Sequence, residues 1–221
     1  MGFIDLVFPR RCVKCGKLGK YLCSSCISQV PQAKFCCPVC GCFNFQGKTH
    51  KSCQTRYSLD GHLSVWSYLG VVRKSILKLK YNFVSDIASE LVGVSANRLK
   101  INLNWTKYVF VAVPTSQPRG KWRGFNQAEI LAEFFAREFG GEYKSNILTK
   151  TKNTKPQVQL DKKHRMLNVK DTFSVSKKHE LKNRRIILVD DVWTTGSTMR
   201  EACRILKKAG ASEVWGLTVA Q

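Results

Sequence analysis

Nine of the ten cysteines fall between residues 12 and 53, and their spacing restricts that stretch more than any other feature restricts the chain. Cys12-x-x-Cys15 is followed after seven residues by Cys23-x-x-Cys26, and Cys37-x-x-Cys40-Gly41 after nine by His50-x-x-Cys53. Two ligands three positions apart curl around one metal ion, and two such knuckles complete a tetrahedron that suits zinc. A head of about 45 residues builds no apolar core of its own, so a metal would replace hydrophobic burial there. Sequential pairing predicts one site of Cys12, Cys15, Cys23 and Cys26 and a second of Cys37, Cys40, His50 and Cys53. Interleaved pairing is the alternative, and one or two structural zinc ions are expected. Cys36 and Cys42 fall outside the register, and either replaces His50 if residues 42–49 fold differently. Disulfides are the competing use, but they need an oxidising compartment. The opening "MGFIDLVFPRRC" has too short an apolar stretch for a signal peptide.

Lys and Arg number 37 against 15 Asp and Glu, a net charge of +22, so the chain repels itself and attracts polyanions. Residues 1–60 hold nine basic groups against two acidic, and residues 144–185 hold thirteen against three. Both are candidate nucleic-acid surfaces, with a solvated basic face as the alternative. No apolar run reaches the roughly 18 residues of a membrane span, so a cytoplasmic protein is expected.

After Tyr57 the pattern becomes strand–helix alternation. "HLSVWSYLG" (62–70) reads as a strand. A helix over "VVRKSILKLKY" turns Val72, Ile76 and Leu79 inward, and a second helix covers 84–100. "YVFVAVP" (108–114) is a buried strand ending on Pro114. Residues 126–139 form an amphipathic helix with Ile130, Phe134 and Phe135 inward, closed by Gly140-Gly141. "NILT" is a short strand, and the basic, aperiodic stretch 150–170 is a functional loop. "RRIILVD", "STMREACRILKKAG" and "EVWGLTVA" supply strand, helix and last strand, with Cys203 a buried apolar residue. The fold class expected is α/β, a parallel sheet flanked by helices, with ligands at the carboxyl ends of the strands.

That rule points to "LVDDVWTTGST" (188–198). The loop runs into a helix, so its amides and hydroxyls suit a dianionic phosphate. It lacks the Gly-Lys-Ser/Thr of a Walker loop and the glycines of a dinucleotide fingerprint. Asp190 and Asp191 would repel a phosphate but accept from vicinal hydroxyls. Phosphate on the loop and diol on the acids describe a ribose 5-phosphate.

"IILVDDVWTTGST" resembles the phosphoribosyl pyrophosphate (PRPP) motif of type I phosphoribosyltransferases. The resemblance implies that Asp190 and Asp191 hold the ribose hydroxyls, and that Thr194, Thr195, Gly196, Ser197 and Thr198 hold the 5-phosphate. It places the pyrophosphate loop at "VAVPTS" (111–116), with Mg2+ bridging pyrophosphate and ribose. "VPTSQPRGKWRGFNQAEILA" (113–132), "TKPQVQLDKKHRMLNVKDTF" (154–173) and the knuckle-rich head are similar to ComF family proteins. By that resemblance Pro114, Thr115, Arg119, Arg123, Asn126 and Gln127 line or brace the pyrophosphate side, while Gln157, Leu160, Arg165 and Asn168 belong to a flexible loop. Packing for Phe125, helix capping for Asn126 and docking for Leu160 are the alternatives. The family implies a double zinc ribbon at 1–57 and a phosphoribosyltransferase-like domain at 58–221, divided into 58–105 and a PRPP-binding core at 106–221.

ComF proteins are associated with natural competence, which implies single-stranded DNA and DNA-uptake or recombination proteins as partners. Two departures bear on turnover. Purine phosphoribosyltransferases place an aspartate just before the Thr-Gly, where this chain has Thr194. No base-binding hood follows the last strand, so an N-terminal segment would cover the site. Trp193 stacks a base or packs at the sheet edge. The function expected is a PRPP- or nucleotide-binding protein that also binds single-stranded DNA. The alternatives are an active phosphoribosyltransferase with an unknown acceptor and a non-catalytic ligand sensor.

Overall fold

The computed structural model describes residues 9–79, 84–99, 101, 103–114, 126–151, 172–176 and 178–221. The described strands are β1 (Gly61–Trp66), β2 (Tyr108–Ala112), β3 (Glu142–Tyr143), β4 (Leu148–Lys150), β5 (Phe173–Val175), β6 (Arg185–Val192) and β7 (Glu213–Ala220). The helices are α1 (Ser24–Ile27), α2 (Gly70–Lys78), α3 (Val84–Ala96), α4 (Gln127–Phe139) and α5 (Ser197–Lys208). Five strands form one parallel sheet in the order β1-β7-β6-β2-β3. Successive side chains of a strand point to opposite faces, and here both faces are covered. Val109, Val111, Ile186 and Leu188 share a core with α5, whereas Phe110, Ala112, Ile187 and Val189 share one with α2, α3 and α4. Strands buried on both sides need apolar residues at every position, which is why "YVFVA" and "RIILV" read as unbroken runs.

Helix α2 buries Val72, Ile76 and Leu79 as expected. On α4 the buried stripe is Ala128, Leu131, Ala132, Phe135 and Ala136, while Ile130 and Phe134 are only half-buried on its flanks. Phe135 points inward as expected, whereas Ile130 and Phe134 only flank the stripe, and three alanines fill the rest of it and let the helix lie close to β2 and β6. Asn126 caps α4, its side chain accepting from the Ala128 amide at 3.1 Å, and left-handed Gly140 (φ 70) closes it. Strand β1 ends at Trp66, beyond which Ser67 donates to Pro31 O on the head side while the Tyr68 amide still donates to Gln221 O, just past β7. Helix α3 ends at Ala96 rather than 100, in a turn over Asn97 and Arg98. The antiparallel pair β4–β5 was not expected. It brings Lys150 opposite Phe173 and carries the chain into and out of residues 152–171, which lie outside the described residues.

The cysteine-rich head is built into the body. Strand β1 is an edge of the sheet, and unpaired edges need a cover. Here Ala33 N donates to Val65 O at 3.0 Å, and isolated bridges join Gln32 to Trp66 and Lys48 to Gly61. Cys12, Leu22, Cys23, Cys26 and Val30 belong to the same core as α2 and α3. The Leu22 amide donates to Glu90 Oε2 at 3.0 Å, and Arg10 pairs with Asp86 at 3.2 Å.

Candidate functional site

The chain leaves β2 toward α4 and β3 on one side and leaves β6 toward α5 and β7 on the other. The carboxyl ends of these adjacent strands therefore form a topological switch point, where open α/β sheets bind ligands. The described residues beside this point are Val113, Pro114 and Asn126 on one side and 193–196 on the other.

On the β6 side, Asp190 and Asp191 are half-buried and adjacent, the Asp191 amide donating to Asp190 Oδ1 at 2.8 Å. Burial, and then the charge of Asp191, raise the Asp190 carboxyl well above its usual range. A pair of crowded acids favours a ligand that donates hydrogen bonds or brings a cation. Gly196 has φ 71 and leads into α5; the Thr195 and Ser197 hydroxyls are 2.9 Å apart, and the Ser197 amide donates to Thr195 Oγ1 at 3.4 Å. Thr194 is exposed and Thr198 half-buried. Thus all seven residues from this stretch, Asp190, Asp191 and Thr194 to Thr198, stand at one end of the sheet, beside the amino terminus of a helix of twelve residues.

Trp193 is packed rather than open. Its ring stacks on His62 of β1 at 3.9 Å, the Arg200 guanidinium lies 5.5 Å from its centroid, and a Cβ at Gly196 would fall 2.2 Å from it. His62 donates to or accepts from Thr218 across 3.0 Å, and burial, aided by the Arg200 charge, lowers it to about 3, so it stays neutral. Arg200 also donates from Nε to Pro38 O at 2.7 Å, a contact between α5 and the Cys37–Cys40 knuckle of the second metal set. Sequence reasoning missed His62, Thr218 and Arg200. They come from β1, β7 and α5, and no local motif marks residues that meet only through the sheet.

On the β2 side, Pro114 is half-buried and Asn126 donates to Val113 O at 3.2 Å, which ties together the ends of the loop between them. Gln127 is buried, and its amide nitrogen has no hydrogen-bond partner among the described residues. Thr115, Arg119, Arg123, Phe125, Gln157, Leu160, Arg165 and Asn168 lie outside the described residues.

In the head the structure brings together Cys12, Cys15, Cys23 and Cys26, and separately Cys37, Cys40, His50 and Cys53, each set with its ligand atoms within 4.8 Å of one another. Cys15 and Cys23 sulfurs are 3.7 Å apart, and Cys40 Sγ is 3.4 Å from His50 Nδ1. A tetrahedral zinc with bonds of about 2.3 Å to sulfur and 2.0 Å to nitrogen needs edges of roughly 3.5–3.8 Å, so both donor sets fit the metal. Both knuckles close alike: the Gly16 amide donates to Cys12 O and that of Gly41 to Cys37 O, each at 2.9 Å, with left-handed glycines at φ 77 and 78. Burial raises the Cys12 thiol, but backbone amides of Cys15, Cys23 and Lys14 outweigh it and bring the group down to about 6. The Cys42 amide likewise brings Cys40 to about 6, so both favour the thiolate a metal requires. Cys36 and Cys42 stand outside both sets. Cys203 is fully buried, its thiol donating to Tyr57 O at 3.6 Å.

Fold and site together define a phosphoribosyltransferase-type domain joined to a double zinc ribbon. Family models agree: residues 124–220 match the phosphoribosyl transferase domain and residues 3–55 the double zinc ribbon domain. The DNA utilization protein YhgH of Escherichia coli K12 is 30% identical over 89% of this chain and 89% of its own. The competence protein F of Haemophilus influenzae is 41% identical over a stretch spanning 48% of each chain. The chain belongs to the ComF family. Among solved structures, the glutamine PRPP amidotransferase of Bacillus subtilis aligns over 65% of this chain and 30% of its own, with a TM-score of 0.43 and 19% identity. So slight a likeness bears on nothing further.

Proposed function

We propose that the chain binds a phosphoribosyl ligand, PRPP or a nucleotide, at the switch-point crevice, and that it binds single-stranded DNA and acts in DNA uptake. The single observation that supports the ligand half is the convergence of two crowded carboxylates with a hydroxyl-rich loop at the amino terminus of α5. In this reading the ribose hydroxyls donate to Asp190 and Asp191, and residues 194–198 hold the 5-phosphate. Pro114, Thr115, Arg119, Arg123, Asn126 and Gln127 serve the pyrophosphate, and Gln157, Arg165 and Asn168 belong to the family's flexible loop. Asp190, raised first by burial and then by the charge of Asp191, is an acid to which a Mg2+ bound with the ligand would supply compensating positive charge.

The DNA half rests on the net charge of +22 and on relatives named for competence and DNA utilization. Among the described residues no helix is long and apolar enough to cross a membrane, and a cytoplasmic site of action is part of the proposal. Thr194 favours a ligand sensor over a purine transferase, because an exposed threonine takes up no proton from a base nitrogen.

A thermal-shift panel of PRPP, nucleoside monophosphates and cyclic nucleotides, with and without Mg2+, tests the ligand half. Stabilisation by a 5-phosphorylated ribose is expected, and a flat panel refutes it. Mg-dependent pyrophosphate release in the presence of bases or amines would establish turnover; binding without release, with PRPP altering DNA affinity, would establish the sensor.

A further inference from the structure

We propose that Phe43 and Phe45, on the second zinc ribbon, form a base-stacking platform for single-stranded DNA. The inference rests on the nucleic-acid half of the proposed function and assigns it a surface. The two rings are 73% and 71% exposed, the most exposed large apolar side chains among the described residues. They stand on a braced loop. Asn44 Nδ2 donates to Lys48 O at 2.6 Å, Thr49 Oγ1 donates to Leu59 O at 2.5 Å, and the Thr49 amide donates to Asp60 O at 2.9 Å. Gly47 lies so close to β1 that a Cβ there would meet His62 O at 2.1 Å, and His50, in the second metal set, pins the far end. Two phenylalanines presented to water by a loop this constrained add nothing to either core, so a ligand is the use their exposure serves.

Charge selects the ligand. No Asp or Glu occurs from residue 6 to 59, where nine Lys and Arg do, and Lys34, Lys48, Lys51 and Arg56 are exposed. Two zinc ions with seven thiolates and one imidazole remove about three of those positive charges, so the ribbon stays cationic. A protein docking on this patch would need to present acidic groups and apolar surface together. A polyanion whose π-faces are free meets both requirements at once, and in a duplex those faces are already stacked.

The test is fluorescence anisotropy of labelled oligo(dT) and of duplex DNA across a salt series, on the full zinc-loaded chain. Phe43→Ala with Phe45→Ala should lower oligo(dT) affinity roughly ten- to a hundredfold while leaving zinc content, melting temperature and the salt slope as in the wild type. Lys48→Gln with Lys51→Gln should instead flatten the slope by about one to two units. Phe45→Tyr, which keeps an aromatic face, should retain near-wild-type affinity. If the double alanine variant binds within twofold of the wild type, the platform is overturned and the pair serves a protein contact. If the wild type binds no DNA even at low salt, the nucleic-acid reading falls and the platform with it. Equal loss on duplex and single strand overturns stacking as the cause.

Discussion

Asp190→Asn combined with Asp191→Asn should move apo stability and ligand binding in opposite directions. Asp190 is taken from water and faces a neighbouring carboxylate, and both effects penalise its ionised form. Asparagine keeps an oxygen to accept the 2.8 Å bond from the 191 amide, so the backbone loses nothing. Relieving a buried, like-charged acid should stabilise the apo protein by about 1–3 kcal/mol, or several degrees in melting temperature for a chain this long. The ligand loses two hydrogen bonds to charged acceptors at about 1.5–3 kcal/mol each, so affinity should fall by roughly two to four powers of ten. At a ligand concentration near a hundred times the wild-type Kd, the expected wild-type stabilisation of about 2.7 kcal/mol should vanish in the variant.

The pH dependence has a definite sign. Asp190 binds its proton more tightly folded than unfolded, so its penalty is absent below about 3.8 and grows as pH rises through the elevated folded value. The stability advantage of the asparagine variant should therefore appear near neutral pH and disappear in acid. Differential scanning fluorimetry with and without PRPP, repeated from pH 4 to 8, measures both effects. An apo variant less stable than the wild type at pH 7, or one that keeps the full PRPP shift, refutes the reasoning.

Other substitutions probe the surroundings of the same site. Gly196→Ala places a methyl group 2.2 Å from the Trp193 ring at a backbone φ of 71, and should cost about 2–4 kcal/mol in urea unfolding and abolish PRPP stabilisation. Arg200→Ala removes the bond to Pro38 O and the cation beside Trp193, so a loss of about 2–3 kcal/mol and a shifted tryptophan emission are expected. Zinc released by denaturation in the presence of a chromogenic chelator should total two ions per chain. Cys23→Ser should lower that to one and destabilise the α3 interface, whereas His50→Cys should keep both.

Much of the site was legible because its residues are consecutive. Carboxylates, hydroxyls and glycine from 190 to 198 form one strand–loop–helix passage, and local sequence order carries them to one place. The metal sets were legible for a related reason: each is two short knuckles of fixed internal spacing, and His50 occupies the register position of a cysteine. On α4 Phe135 was placed rightly, but the alanines of the stripe were not, because alanine marks close helix–sheet approach only when the sheet is known. The β4–β5 pair was overlooked since its partners are separated by the whole 152–171 segment.

The sequence by itself determined the class of the fold, the four metal-binding knuckles and the acid- and hydroxyl-rich loop, since periodicity and ligand spacing are properties of neighbouring residues, while the pairing of the knuckles came from the structure. Only the tertiary structure decided what Trp193 does and what the head is attached to. Trp193 lies against His62 from β1 and Arg200 from α5, and Arg200 in turn reaches Pro38 in the Cys37–Cys40 knuckle. The contacts of Trp193 with His62 and of Arg200 with Pro38 join residues more than a hundred positions apart, and the parallel order β1-β7-β6 is what brings β1 beside the loop after β6.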